Sequence, residues 1–218
     1  MNWKEWTLDL FFPPKCVFCG KLAKVCLCEN CRTALPFTGK QTLVTGESGL
    51  RAGAPLFYED EVRESILRYK FADRFMFADV YGVLMAECAA EHFSGDFDLV
   101  SYIPVSRRRK KERGYDQAEL LAAVMAKCWD TEPVCTLQKV TDTPRQSGFA
   151  KLYERRANVL GVYDPMEPGL FRGRRVLLVD DVYTTGSTMN EAARTLRLAG
   201  AGEVLGITLA RKRTGKPG

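Results

Sequence analysis

The chain has 218 residues, 46% of them hydrophobic and 27% charged, a composition that excludes a fibre or a disordered chain and fits a soluble globular protein. That length buries a proper core without disulfides and accommodates a domain with a small accessory module. The formal charge of +5 is too modest to imply nucleic acid by itself, but Arg107, Arg108, Arg109, Lys110, Lys111 and Arg113, set against Glu112, equal the whole excess and leave 26 basic and 26 acidic residues elsewhere.

At the N-terminus, Trp3, Trp6 and Leu10 have the spacing of a short amphipathic helix that stops at Pro13-Pro14. Its expected role is docking on the protein's own core. Membrane-surface contact is the alternative, but the polar face lacks the Lys and Arg such helices carry. Glu5 and Asp9 interrupt any secretory-type apolar run. Nothing approaches the ~18 apolar residues of a membrane span, so a cytoplasmic protein with no integral membrane segment is expected.

Five of the eight cysteines lie between Cys16 and Cys31. Cys16-x2-Cys19 and Cys28-x2-Cys31 read as two metal knuckles in tandem. Each loop turns a pair of thiolates toward one ion, and both together complete a tetrahedral set suited to structural Zn²⁺. Gly20 suits the tight turn of the first knuckle. Free buried thiols or a disulfide are the alternatives. Cys26 is read as a bystander, and Cys88, Cys128 and Cys135 as small apolar core residues. A complete thiolate set leaves no open position for catalysis.

Residues 37–53 are rich in Gly, Thr and Ser and read as a linker or exposed loop. This places a zinc-binding module at residues 1–45 and the main domain at residues 46–218. Beyond the linker, strands are expected at 54–58, 98–105, 134–140, 159–163, 175–180 and 203–210. Helices are expected at 62–71, 76–92, 117–129 and 188–199. Strands alternating with helices, several apolar on both faces, imply an α/β fold with a mainly parallel sheet covered on both sides.

The strongest motif starts in the 175–180 strand. Asp180 and Asp181 follow its apolar run, then Thr184, Thr185, Gly186, Ser187 and Thr188 lead into a helix. Main-chain N–H groups at the helix start, with the hydroxyls, suit a phosphate dianion. The carboxylates just before them are within reach of ribose hydroxyls, and α/β sheets bind ligands at the carboxyl ends of their strands. The pattern suits a phosphorylated sugar.

This segment resembles the 5-phosphoribosyl-1-pyrophosphate (PRPP) signature of type I phosphoribosyltransferases. The wider chain resembles the ComF family of bacterial competence proteins. The carrying features are the tandem cysteine pairs after Phe12-Pro13-Pro14, Ile103-Pro104-Val105-Ser106, Arg113-Gly114-Tyr115-Asp116-Gln117-Ala118, and the stretch from Thr141 to Val159. The resemblance implies that Asp180 and Asp181 hold the ribose hydroxyls and are the catalytic candidates if chemistry occurs. It further implies that Thr184 to Thr188 bind the 5′-phosphate, that Mg²⁺ accompanies PRPP, and that residues 141–157 form a lid whose candidate cations are Arg145, Lys151, Arg155 and Arg156. Relatives of this fold include enzymes, which would transfer ribose 5-phosphate to an acceptor, and regulators without chemistry.

The basic segment, Arg107 to Arg113, follows the strand expected beside the pyrophosphate. It is read as cations for that group, as a phosphate-tracking patch for single-stranded DNA, or as a solvated loop. Its charge exceeds what one pyrophosphate needs, which favours a polyanion. Tyr115 beside it is placed either on a base or in the core, and Arg211, Lys212, Arg213 and Lys216 could extend the basic surface. His92 is read as a surface histidine. Competence-machinery proteins are the further expected partners.

Overall fold

The structure, a computed structural model, describes residues 14–71, 75–140 and 161–213. The helix expected around Trp3 and Leu10, the lid expected at 141–157, and Lys216 fall outside the described residues. Along the chain, α1 (Glu29–Ala34) is followed by β1 (Leu43–Thr45), β2 (Arg51–Gly53) and β3 (Leu56–Phe57), helices α2 (Asp60–Phe71) and α3 (Phe75–Phe93), and β4 (Leu99–Tyr102). Helices α4 (Arg107–Arg113) and α5 (Gln117–Lys127) precede β5 (Leu137–Lys139) and β6 (Tyr163–Pro165). The chain continues with β7 (Arg175–Tyr183), α6 (Ser187–Leu198) and β8 (Glu203–Arg211).

A six-stranded sheet runs in the order β1-β2-β8-β7-β4, with β3 added to the far end of β8. Every pairing in it is parallel except β1 with β2. The alternation of β7 sorts its side chains between two cores. Leu177 and Val179 pack with α2, α3 and α5, whereas Val176 and Leu178 pack with Met189, Ala192 and Leu196 of α6. Helix α5 begins where Asp116 caps it, its carboxylate accepting from the N–H groups of Ala118 and Glu119. It buries Leu121, Ala122, Met125 and Ala126, one helical face.

Three expectations change. Residues 37–53 are not an exposed loop: β1 and β2 join the sheet, Thr38, Thr42 and Leu50 are buried, and the Thr38 hydroxyl donates to the Ala54 carbonyl at 2.7 Å. Gly, Thr and Ser here serve a short edge hairpin, whose strand character comes from pairing with β8 and not from composition. In the tail, Arg211 and Arg213 are engaged by the protein itself, while Lys212 is exposed. Arg211 is buried and donates to the Gln41 carbonyl at 2.9 Å, while Arg213 pairs with Glu59 at 2.7 Å. Cys128 and Cys135 are exposed, and only Cys88 of those three is in the core. The cysteine-rich segment packs on the main core: Cys16, Val17, Phe18 and Leu35 share one apolar cluster with α2, α3 and α5.

Candidate functional site

Asp180 and Asp181 lie inside β7, not at its end, because β8 keeps pairing with it as far as Tyr183↔Arg211. On the other side, β4 leaves after Tyr102↔Val179. The two carboxylates therefore stand at the first residues of β7 whose β4 flank is open, a crevice at the carboxyl end of the sheet. Being consecutive in a strand, they point to opposite faces. Asp180 lines a small hollow with Thr184, Gly186, Ser187, Met189 and Thr208. Asp181 instead meets Lys70 of α2, Nζ to Oδ2 2.6 Å, with both side chains mostly buried. Burial, and then the Asp181 charge, push the Asp180 carboxyl up to about 8. Burial opposes the charge on Lys70, but the Asp181 carboxylate outweighs it and raises the lysine pKa. One side of the pair is thus a cation-held carboxylate, the other an acid that readily keeps its proton.

The loop after β7 delivers the expected hydroxyls. Thr184, Thr185 and Thr188 are exposed, and Thr185 Oγ1 lies 2.8 Å from Ser187 Oγ. Gly186 precedes α6 in the left-handed region, φ +76°, and a Cβ there would fall 2.3 Å from the Tyr183 hydroxyl oxygen. Only glycine fits this turn. Gly186→Ala should cost about 1–3 kcal/mol in urea unfolding, and an unchanged midpoint and slope would show that the turn relaxes freely.

The basic segment is a helix, α4, not a loop. Ser106 caps it through the Arg109 N–H at 3.4 Å, and it stops at Gly114. Part of its charge is neutralised locally. Lys110 pairs with Glu119 at 2.6 Å and Arg108 with Glu112 at 3.3 Å, while Arg113 donates to the Gln117 side chain at 2.5 Å. Arg107 and Lys110 border a cavity of about 650 Å³, with Lys139, Asp116, Tyr102 and Met166 also in its wall. Asp116 accepts from the Val105 N–H at 2.8 Å, fixing the loop between β4 and α4, and burial raises its pKa. Tyr115 is buried, and its hydroxyl donates to the Tyr69 carbonyl, so it is a core residue and not a stacking platform. His92, on α3, is half-buried with Nδ1 3.1 Å from the Cys88 carbonyl.

The cysteines converge as expected. The thiol sulfurs of Cys16, Cys19, Cys28 and Cys31 lie within 4.8 Å of one another. Cys19 and Cys28 are 3.9 Å apart, close to the ~3.8 Å edge of a Zn–S tetrahedron. All are free thiols. Gly20, φ +72°, turns the first knuckle, its N–H donating to the Cys16 carbonyl at 2.8 Å. Burial opposes ionisation of Cys16, but the N–H groups of Cys28, Cys19 and Phe18 outweigh it and bring the thiol down to about 7. Burial and the neighbouring sulfurs drive Cys31 the other way, far upward. A full set of thiolates needs a cation among them, so the cluster could hold a metal ion. Cys26 stands outside it, its carbonyl accepting from the Val17 N–H at 2.8 Å. Among the described residues no other group of His, Cys, Asp and Glu side chains is arranged to hold a metal.

Two residues at the site carry no sequence signal. Lys70 looks like an ordinary cation in a last helical turn. Lys139 is an isolated lysine in a short strand.

A sequence model of the phosphoribosyl transferase domain matches residues 111–217. Competence protein F of Haemophilus influenzae is 28% identical over 91% of this chain and 85% of its own length. Competence protein ComFC of Streptococcus pneumoniae is 25% identical over 90% of this chain and 100% of its own. DNA utilization protein YhgH of Escherichia coli K12 is 34% identical over 49% of this chain and 46% of its own. The fold is a mainly parallel α/β sheet with flanking helices whose C-terminal half matches the phosphoribosyl transferase domain, and a cysteine cluster precedes it.

Proposed function

From a chain that resembles the ComF competence proteins over most of its length and carries a phosphoribosyltransferase-type domain, we propose a ComF-like role in DNA uptake, exerted through a site that binds PRPP or a related phosphoribosyl ligand. The observation that carries this reading is the acid pair beside a hydroxyl-lined helix start, at the point where β4 leaves β7. Asp180 and Asp181 accept hydrogen bonds from the ribose hydroxyls. Thr184 to Thr188, with the N–H groups opening α6, hold the 5′-phosphate. Mg²⁺ bound with the pyrophosphate would neutralise its charge, since such an ion binds through one or two carboxylates and ligand phosphates. Zn²⁺ in the cysteine cluster is structural.

Helix α4 supplies the polyanion contact, with single-stranded DNA as the partner. Binding to a labelled single strand should weaken linearly in log salt, and Arg107→Ala with Lys111→Ala should flatten the slope by about 0.7 per lost phosphate contact. An unchanged slope removes α4 from DNA binding. In a transformation assay of the cell, the chain carrying Asp180→Asn and Asp181→Asn should fail to restore a loss-of-function strain; full restoration would detach the phosphoribosyl site from the biological role.

A cavity of about 650 Å³ beside α4 favours a second reading, transfer of ribose 5-phosphate to an acceptor. The step would break the C1–pyrophosphate bond through an oxocarbenium-like transition state and form a bond from C1 to the acceptor. Positioning and charge would do most of the work. Pyrophosphate release across a panel of bases tests it, and silence across a wide panel leaves a binding protein or adaptor.

A further inference from the structure

Helix α2 touches both chemical centres. On one face, the Ser65 hydroxyl donates to the Val17 carbonyl, and Arg68 Nη2 donates to the carbonyls of Val17, at 3.0 Å, and Phe18. Val17 and Phe18 are the two residues inside the first Cys-x2-Cys loop. Two residues beyond Arg68, on a different face of the helix, Lys70 reaches across to Asp181 at 2.6 Å. Between them Tyr69 donates to the Gln117 carbonyl at 2.9 Å, so the end of α2 is also fastened to the start of α5.

The geometry points to a coupling that neither centre shows alone. We propose that Lys70 is the positioning residue of the acid pair, and that the metal-bearing knuckle sets its position through α2, so that metal at the cysteine cluster and ligand at the phosphoribosyl site strengthen each other's binding. The inference rests on the phosphoribosyl reading of the acid pair given above.

The physical basis is short and continuous. The carbonyls of Val17 and Phe18 can hold Ser65 and Arg68 in place only if the Cys16–Cys19 loop keeps its turn. That loop carries Cys16 and Cys19, whose sulfurs a metal would hold against those of Cys28 and Cys31. A metal therefore selects one placement of the loop, and with it one placement of α2. Lys70 Nζ, held at hydrogen-bond distance, fixes the position of the Asp181 carboxylate. Loss of the metal frees the loop, loosens the grip on Arg68, and lets Lys70 shift by the fraction of an ångström that separates a bridged carboxylate from a misplaced one. Binding free energies couple reciprocally, so a ligand that needs the Lys70–Asp181 arrangement must also favour the metal-loaded knuckle.

The groups facing Lys70 and the pair are Asp180 and Asp181 on β7, Asp116 at the start of α5, and Tyr58 ahead of α2, with Tyr163 of β6 facing Asp180. Lys70 is the cation bridged to this acidic group among the described residues. Replacing it by a neutral side chain should therefore move the pH dependence of ligand binding upward, because Asp180 loses the nearby cation that eases its ionisation. Lys70→Arg keeps the charge and should restore the profile. A role confined to folding would move neither.

The test uses the zinc-loaded full chain. Zinc affinity is measured by equilibrium competition with a chromogenic chelator, with and without PRPP and Mg²⁺ at concentrations shown by calorimetry to saturate each variant. PRPP should tighten zinc binding by about 5-fold or more in the wild type, the lower end of ordinary coupling. The gain should vanish in Lys70→Met and in Arg68→Met, both still binding one zinc, and return in Lys70→Arg. Saturating PRPP that leaves zinc affinity unchanged in the wild type overturns the coupling. A gain that persists in Lys70→Met overturns the role of Lys70. Absence of any PRPP binding in the wild type is a separate result, which refutes the phosphoribosyl reading itself.

Discussion

Asp180→Asn and Asp181→Asn, adjacent and chemically identical substitutions, should move stability in opposite directions while each weakens PRPP binding. The sign follows from what each carboxylate faces. Asp180 has its carboxyl pushed up to about 8 by burial and by Asp181, against about 3.9 in an unfolded chain. Between those values the folded state holds more protons than the unfolded state, so this group makes stability fall as pH rises through that window. Asparagine cannot ionise, and Asp180→Asn should raise the melting temperature, most above pH 8 and not at all below pH 4. Asp181 is different, because its carboxylate is bridged to Lys70 with both side chains mostly buried. Asp181→Asn leaves that ammonium without its counter-charge and should destabilise at neutral pH by about 2 kcal/mol, somewhat less than the loss from a fully enclosed pair. Asp181→Asn removes a charged acceptor, worth about 1.5–3 kcal/mol, so its affinity should fall roughly 10- to 100-fold in calorimetry, whereas Asp180→Asn, which removes a carboxyl that largely keeps its proton near neutral pH, should lose less. Melting curves at several pH values that shift both variants the same way would contradict the assigned environments.

The second large effect concerns the cysteines. Cys28→Ser should abolish stoichiometric zinc and destabilise the whole chain, not an appended module. The reason is the shared core: Cys16, Val17, Phe18 and Leu35 pack with α2, α3 and α5. Structural zinc contributes on the order of 10 kcal/mol in small finger peptides. With part of the packing surviving, a loss on the order of 5 kcal/mol is expected here, or about 10–20 °C in melting temperature. Metal analysis that finds no zinc in carefully reduced wild-type protein would contradict the assignment. So would a Cys28→Ser chain that melts with the wild type.

What the amino-acid sequence made legible is what lies close together in the chain. The run from Val176 to Thr188 carries its meaning locally: an apolar strand, acids, hydroxyls, a glycine and a helix. The paired knuckles do the same through spacing alone. Long-range contacts were not legible. Lys70 meets Asp181 only because α2 packs against the end of β7, and no local pattern distinguishes it from any lysine in a last helical turn. The strands β1 and β2 owe their conformation to β8, so their Gly, Thr and Ser content read as a loop. The cations of α4 were visible as charge. Their helix was not, because it buries no residue and so has no apolar periodicity. The pairing of Lys110 with Glu119, across the turn into α5, was equally hidden. The opposite facing of Asp180 and Asp181 follows from strand alternation once β7 is known to run on to Tyr183.

The central claim is that the acid pair and the hydroxyl loop form a phosphoribosyl site. Titration of the zinc-loaded wild-type chain with PRPP in a calorimeter, with and without Mg²⁺ and beside the Asp180→Asn/Asp181→Asn variant, tests it most directly. Saturable binding that requires Mg²⁺ and is lost in the variant is the predicted result. No binding by the wild type, or equal affinity in the variant, would contradict it.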